Sequence, residues 1–237
     1  MRKGIITISF DDAYLDTYIH AFPYLDKNGI ESTFAVPVNL IGKKCENRPV
    51  VNWKQLKEMR KKGHDIASHT LSHKKFNTLL STSKANARSE IINSKRILQK
   101  HLDAPIPSFV YPYISRLPDK YVHRIVKQNY TSSRISKNYP VFNKLPIKNR
   151  YAVKGFCVMK THSIGFIKKQ VDYVKSNNVW LNLVFHLVGK KNTKSIHAKR
   201  LYRFFSHVTD FCKIVAYIKK NEISILTQKQ IIEKYAK

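Results

Sequence analysis

Two adjacent carboxylates, Asp11 and Asp12, follow the alternating run ITISF at residues 6–10 of a chain that is poor in acidic residues. Like charges side by side repel, so one of the two is expected to lose its charge unless a cation lies between them. The alternative is structural, because carboxylates also cap the first turn of a helix, and a helix could begin near Ala13. One aspartate would suffice for a cap, so the pair favours a metal ion.

Two histidines four residues apart, His69 and His73 in HDIASHTLSH, offer further ligands. This spacing places two imidazoles on one side of a helical turn, but in a chain with ten histidines it means little without a carboxylate. Two histidines and one aspartate leave coordination positions open, as in catalytic zinc sites and in non-haem iron oxygenases. The second aspartate favours hydrolysis, because it can take a proton from metal-bound water.

The positions of two other histidines make His186 a candidate functional residue and His64 a structural one. His186 ends the apolar run WLNLVF, where its ring could act on a bound ligand. A buried histidine bonded to the backbone is the commoner arrangement for such a residue taken alone. His64 stands at the start of its apolar run, remote from the candidate ligands, and is expected to be structural.

Short apolar runs with β-branched or aromatic residues alternate with amphipathic stretches along the whole chain. Strands are expected over 4–10, 31–36, 64–68, 107–111, 130–133, 151–154, 180–186 and 222–226, with helices between them. Asn52 with Gln55, and Thr227 with Gln230, have the capping-box spacing that marks a helix start. This alternation predicts parallel strands covered by helices, in a barrel or a doubly wound sheet.

Polar or ring-bearing groups follow four of these strands. The Asp pair ends the first, the His pair follows DIAS, Tyr113 follows SFVYP, and His186 ends a later strand. Because catalytic groups in such folds gather where strands end, we expect these side chains to share one face.

The composition predicts one globular domain spanning residues 1–237, since 43% of the residues are hydrophobic. Cys45, Cys157 and Cys212 are far apart and odd in number, so we expect free thiols. There is no apolar stretch of about 18 residues to span a membrane. The N-terminal residues are interpreted as the first strand and not as a signal peptide, which makes a cytoplasmic location the default expectation.

The formal net charge is +29, from 44 Lys plus Arg against 15 Asp plus Glu. Two explanations stay open: the lysine bias of an A/T-rich genome, and attraction to an anionic polymer. The basic residues are dispersed through every segment without interleaved aromatics, so dedicated nucleic-acid binding is not expected.

Four motifs in order resemble those of the polysaccharide deacetylases, the NodB-homology carbohydrate esterases. ISFDDAY is similar to the family motif T-F-D-D-G, and SHTLSH to H-S/T-x-x-H. FVYPY is similar to F-A-Y-P-Y/F-G, and LVFHLV to the motif of the last histidine. The resemblance runs from Ile5 to about Tyr235.

This resemblance implies a distorted (β/α)₇ barrel that hydrolyses N-acetyl groups of a hexosamine-containing glycan. It implies that Asp11 is the base, that Asp12, His69 and His73 hold one divalent ion, that the Tyr113 backbone N–H stabilises the oxyanion, and that His186 is the general acid. Zinc is the expected metal, with cobalt or another transition metal as alternatives. The expected partner is an N-acetylated glycan, with an anionic one as the variant that the net charge suggests.

The sequence departs from the family pattern at several positions. Ala13 and Ile114 replace glycines, so the loops there could differ from those that a glycine permits. Val110 stands where many members have an arginine that supports the catalytic aspartate. Arg150, in NRYAV, resembles an arginine of the Y-P-Y variants and is expected to take that role. No residue stands out for orienting the last histidine; Asp172 and Asp210 are candidates.

Two rival functions stay open. One is a related metal-dependent amidase or deformylase that acts on a non-polymeric substrate. The other is a catalytically impaired barrel that binds glycan, which the replaced glycines and Val110 allow and the intact set of acids and histidines opposes.

Overall fold

The computed structural model describes residues 4–114, 116–190 and 199–236. The strands are β1 (Ile5–Phe10), β2 (Thr33–Val36), β3 (Lys44–Cys45), β4 (Arg48–Pro49), β5 (Asp65–Ser68), β6 (Ser108–Val110), β7 (Ser132–Lys137), β8 (Asn143–Lys144), β9 (Val153–Cys157), β10 (Val179–Phe185), β11 (Leu187–Gly189), β12 (Phe205–His207) and β13 (Ser224–Ile225). The helices are α1 (Leu15–His20), α2 (Phe22–Lys27), α3 (Trp53–Lys61), α4 (Phe76–Thr82), α5 (Lys84–Leu102), α6 (Lys120–Asn129), α7 (Ile164–Asn177), α8 (Lys199–Tyr202), α9 (Val208–Lys220) and α10 (Gln228–Tyr235).

Seven parallel strands close into a barrel in the order β1-β2-β5-β6-β7-β9-β10, and β10 pairs back with β1. The closing pair is the longest register, running from Ile5 opposite Trp180 to Phe10 opposite Phe185. β13 adds in parallel to β1, and β8 adds antiparallel to β10. The predicted (β/α)₇ barrel is confirmed.

Alternation along β1 separates an apolar outer face from a polar inner face. Ile6, Ile8 and Phe10 belong to the main core cluster, where Phe10 contacts Phe211 of α9 with ring centroids 5.8 Å apart. The other face carries hydroxyls that bond within the barrel: Ser9 Oγ donates to Asn182 Oδ1 of β10 at 2.7 Å. Because side chains alternate with period two, every second residue of each barrel strand faces this interior.

The first turn of α10 lies against the N-terminal end of the barrel. The Gln228 backbone N–H donates to Thr33 Oγ1 of β2 at 3.0 Å, and its side-chain amide donates to Ser132 Oγ of β7 at 3.0 Å. Asp65 on β5 is buried, and burial raises the pKa of its carboxyl. The hydroxyl of Ser108 on β6 donates to this carboxylate at 3.1 Å. These bonds join four strands and a helix at the end opposite to the candidate site.

The eight predicted strands are all present, with bounds shifted by up to four residues. β3, β4, β8, β11 and β12 have only two or three residues each and were not predicted. Both capping boxes are confirmed, at Asn52 with Gln55 and at Thr227 with Gln230. The cysteines are free, as expected. In the described part of the chain, no helix has both the length and the apolar character needed to cross a membrane.

Candidate active site

A cleft of about 420 Å³ opens at the C-terminal end of the barrel strands. It brings together the six residues that the sequence places at strand ends: Asp11, Asp12, His69, His73, Tyr113 and His186. Ser136, Cys157 and Arg203 also line it. The expectation of one shared face is therefore met.

Strand alternation explains which side chains enter the cleft. Asp11 follows Ser9 by two residues, and His186 follows Asn182 by four, so both continue the inner faces of β1 and β10. Cys157 ends β9, and burial raises the pKa of its thiol to about 12. This thiol is therefore protonated at neutral pH and does not serve as a nucleophile.

The Asp pair does not cap a helix. α1 begins at Leu15 with Tyr14 as its N-cap residue, and no side chain caps it. Instead, the backbone turns sharply, with positive φ at Asp12 (68°) and Ala13 (49°). Ala13 thus adopts the left-handed conformation that a glycine would take freely, at a cost of about 1–2 kcal/mol. The turn is held by the Val51 backbone N–H, which donates to the Ala13 carbonyl at 3.1 Å.

The two imidazoles converge on one oxygen of Asp12. His73 Nε2 lies 2.9 Å and His69 Nε2 lies 3.5 Å from Asp12 Oδ1, and all three side chains are buried. Although burial opposes it, the Asp12 charge raises the pKa of His73 to about 10. Burial likewise opposes ionisation of Asp12, but the neighbouring His73 charge holds the pKa of this carboxyl well below its usual range. The buried Asp12 carboxylate is therefore stabilised by positive charge placed next to its Oδ1 atom.

The residues present fit a divalent cation at this point. Asp12 Oδ1 is buried and has no hydrogen-bond partner of good geometry among the described residues. The Nδ1 atom of His69 lies 2.7 Å from the Val110 carbonyl, which can only accept, so Nδ1 carries the proton and Nε2 is left as a lone-pair donor. Val110 thus contributes its backbone carbonyl to the site.

Cys45 adds a sulfur near the same cluster. Asp12, Cys45 and His73 have ligand atoms within 4.8 Å of one another. The sulfur lies 3.9 Å from Nδ1 of His73, whereas Nε2 of that ring faces Asp12. The Tyr113 hydroxyl also lies 2.9 Å from this Nδ1 atom. Cys45 and Tyr113 therefore contact the outer side of the His73 ring.

Glu90 on α5 shapes the loop that carries His73. Its carboxylate accepts hydrogen bonds from the backbone N–H groups of Leu71 and Ser72, at 2.9 and 2.8 Å, and from the Ser72 hydroxyl at 2.5 Å. His73 itself has a positive φ of 57°, so the loop needs such support. Sequence reasoning missed Glu90, although an acidic residue beside Ile91 on an otherwise apolar helix stripe was a usable signal.

Arg134, and not Arg150, supports Asp11. Arg134 is fully buried on the inner face of β7, where its guanidinium donates to Asp11 Oδ1 and to the Ser136 hydroxyl. Gly155 leaves room for it, since a Cβ there would lie 2.8 Å from Arg134 Nη1. Arg150 is exposed, its guanidinium lies 5.9 Å from the Tyr151 ring centroid, and it precedes β9 at the opposite end of that strand. The prediction for Arg150 is therefore wrong.

The signal for Arg134 was its position in the run SSRIS. Side chains two residues apart on a strand face the same way, so Arg134 points inward together with Ser132 and Ser136. A buried arginine there needs an acidic partner. The expected end of this strand at residue 133 excluded it from the sequence interpretation.

His186 lines the cleft with its ring stacked on Phe204, at a centroid distance of 4.5 Å. Burial lowers the pKa of this imidazole, against the opposing charge of Asp12. Its Nδ1 atom has no hydrogen-bond partner among the described residues, so it is not a core histidine bonded to the backbone. The contacts of Asp172 and Asp210 lie elsewhere: Asp172 accepts from Tyr217 Oη at 2.8 Å, and Asp210 lines a separate cleft on α9.

The backbone at Tyr113 also has a positive φ, of 57°, directly before Ile114. The strained residue is thus the tyrosine, and Ile114 does not have a positive φ. The Tyr113 ring packs against His73 with centroids 4.5 Å apart and stays 36% exposed at the mouth of the cleft.

The sequence model of the family described as polysaccharide deacetylase matches residues 1–132, which is more than half of the chain. The chain therefore belongs to the polysaccharide deacetylase family. The Bacillus subtilis (strain 168) protein YxkH, which is named for the same family, is 32% identical over 107 residues. That stretch covers 45% of this chain and 36% of YxkH, so the match spans about a third of the length of that relative.

Solved structures share the fold over nearly the whole chain. The chitin deacetylase from the fungal pathogen Colletotrichum lindemuthianum is 14% identical, with a TM-score of 0.61 over 98% of this chain and 88% of its own. A family 4 acetyl xylan esterase from Clostridium thermocellum, in complex with a cobalt ion, is 15% identical, with a TM-score of 0.56 over 97% and 91%. At these identities the similarity establishes the barrel and not the substrate.

Proposed function

We propose that this protein removes N-acetyl groups from a hexosamine-containing glycan by metal-assisted hydrolysis of the amide bond. The observation that carries the proposal is the convergence of two imidazole Nε2 atoms on the buried Asp12 Oδ1, beside a second aspartate that a buried arginine holds. Membership of the family supports the same chemistry.

Asp12, His69 and His73 would hold the divalent ion, and the nitrogen and oxygen donor set suits zinc, with cobalt as a working substitute. A bound divalent ion supplies a water whose pKa is low enough for ionisation near neutral pH. The cobalt ion bound by the Clostridium thermocellum relative is in keeping with this assignment.

The remaining groups divide the proton transfers. Asp11 takes a proton from the attacking water, and Arg134 keeps its carboxylate oriented. The Tyr113 backbone N–H stabilises the oxyanion of the tetrahedral intermediate. His186, at the end of the neighbouring strand β10, gives a proton to the departing amine.

The proposal is tested by acetate release from N-acetylglucosamine oligomers, chitin and peptidoglycan, with and without added zinc or cobalt. Metal-dependent release from at least one of them is expected. Release from none of them, together with activity on a small N-formyl or N-acetyl amide, would favour the amidase alternative.

Matched variants separate the ligands from the base. His69→Ala, His73→Ala and Asp12→Asn should lose the metal, as measured by elemental analysis. Asp11→Asn should keep it while kcat falls at least about 10²-fold, the lower end for general-base catalysis. If Asp11→Asn and Asp12→Asn behave alike in both assays, the division of roles is wrong.

A further inference from the structure

We propose that the mouth of the cleft is a binding site for the negative charges of an anionic glycan, with Lys75 and Arg203 as the groups that pair with those charges. This inference rests on the proposed function and names the class of its substrate. Both residues line the cleft, and they come from separate parts of the chain: Lys75 precedes α4, and Arg203 lies between α8 and β12.

The two cations have no acidic partner among the described residues. Neither Lys75 nor Arg203 takes part in the ion pairs Arg48–Asp16, Lys62–Asp26, Arg134–Asp11 and Lys229–Glu233. Both Lys75 and Arg203 are exposed. In an acid-poor chain, their charge is therefore available to a ligand.

The acids inside the cleft do not cancel this charge. Asp11 is paired with the guanidinium of Arg134, and Asp12 faces two imidazoles that would share a divalent cation with it. Glu46, which accepts a hydrogen bond from the Tyr113 hydroxyl at 3.4 Å, is one acid beside the two cations Lys75 and Arg203. The potential that an incoming glycan meets at the mouth is therefore positive.

Exposed tyrosines accompany the cations. Tyr113 is 36% exposed beneath Lys75, whose ammonium lies 5.9 Å from the ring centroid. Tyr202, next to Arg203, is 41% exposed, and the Lys160 ammonium lies 3.7 Å from its ring centroid. Pyranose rings have apolar C–H faces that pack on aromatic rings, so a tyrosine beside a cation suits a sugar that carries an acidic group.

The test compares a neutral N-acetylglucosamine oligomer with an oligomer in which N-acetylglucosamine alternates with glucuronate, and with one joined by phosphodiesters. For the native protein, kcat/KM on the charged oligomers should fall steeply as the salt concentration rises from about 0.05 to 0.5 M, because the Debye length shrinks from roughly 14 Å to 4 Å. The neutral oligomer should change little. The two charged arms distinguish carboxylate from phosphate as the preferred anion.

Two double variants distinguish the effect of the charges at the cleft mouth from the effect of the overall net charge. Lys75→Gln with Arg203→Gln should lower the ratio of charged to neutral kcat/KM about fivefold, since two exposed ion pairs contribute about 1 kcal/mol together. Lys57→Gln with Lys61→Gln removes the same charge from exposed positions on α3 and should leave the ratio unchanged. Equal losses in the two variants, or equal salt profiles for all oligomers, would overturn the inference.

A binding measurement keeps this inference separable from the proposed function. In the Asp11→Asn variant, calorimetry should give a Kd for the charged oligomers that is at least about fivefold lower than for the neutral one, and Lys75→Gln with Arg203→Gln should abolish that difference. If no oligomer releases acetate but this difference is present, the proposed reaction fails and the anion site stands. If acetate is released but the Kd values do not differ, the proposed reaction stands and the anion site fails.

Discussion

Replacing Arg134 by methionine tests whether this buried arginine supports Asp11, the proposed base. The guanidinium is fully buried and donates to Asp11 and Ser136, so its loss leaves the Asp11 carboxylate buried without its cation. Removing one partner of a buried ion pair costs about 3–5 kcal/mol. We expect the free energy of unfolding of Arg134→Met to fall by this amount, measured by urea denaturation of the chelator-treated protein so that metal binding does not contribute.

Arg150→Met is the matched control. Arg150 is exposed and its guanidinium lies over the Tyr151 ring, so its replacement should change the free energy of unfolding by no more than about 0.5 kcal/mol. Acetate release should fall in Arg134→Met and stay near the native rate in Arg150→Met. Similar losses of stability and activity in the two variants would refute the placement of Arg134 against Asp11.

A double-mutant cycle measures the pair itself. Asp11→Asn combined with Arg134→Met should be less destabilising than the sum of the single changes, by about 0.5–3 kcal/mol, because the double variant buries no unpaired charge. Gly155→Ala approaches the same pair from the other side, since the added Cβ would lie 2.8 Å from Arg134 Nη1 and 2.7 Å from Val184 Cγ2. Additive effects in the cycle would mean that the two side chains do not interact.

Three further changes test other parts of the site and the barrel. Glu90→Ala removes three hydrogen bonds to the loop that carries His73, so metal affinity should fall about 10–100-fold in a chelator competition assay; unchanged affinity would make Glu90 a purely structural residue. Cys45→Ser should keep the metal if Asp12, His69 and His73 hold it, and loss of the ion on elemental analysis would make the sulfur a ligand. Burial lowers the pKa of His64 to about 4, below the value of about 6.5 in an unfolded chain, so the unfolded state takes up the proton first. Stability should therefore be level above pH 6.5 and fall by about 3 kcal/mol as the pH drops to 4, and His64→Gln should lack this component.

The sequence predicts the barrel strands because each is a short apolar run bounded by polar residues. It does not predict β3, β4 or β8, since two-residue strands carry no periodic signal. His64 is correctly assigned as structural: its Nδ1 accepts from the Ser32 backbone N–H at 3.0 Å, and its ring packs on Phe22 and Phe34. Its place at the start of a strand was enough for that assignment.

The residues that support the site are harder to predict from the sequence than the residues that would bind the metal. Asp12 and His73 stand in compact motifs, whereas Glu90 contacts Ser72 across 18 positions of chain and Arg134 contacts Asp11 across 123. Such pairings depend on how the strands are ordered around the barrel, which local sequence does not encode. Arg150 failed as a prediction for this reason, because it was chosen by resemblance of its surroundings and not by the face of a strand.

Hydroxyl and amide groups line part of the barrel interior, beside a small cluster of apolar side chains, and these polar groups connect the fold to the site. Below the cleft, Ser9 Oγ donates to Asn182 Oδ1, and Ser132 Oγ accepts from the Gln228 side chain of α10. An ion pair such as Arg134–Asp11 is costly to bury against hydrocarbon, but less so where the Ser136 hydroxyl accepts a further hydrogen bond from the guanidinium. The polar inner face therefore lowers the cost of holding a charged base rigidly at the end of β1. An apolar inner face would have left that aspartate either neutral or free to move.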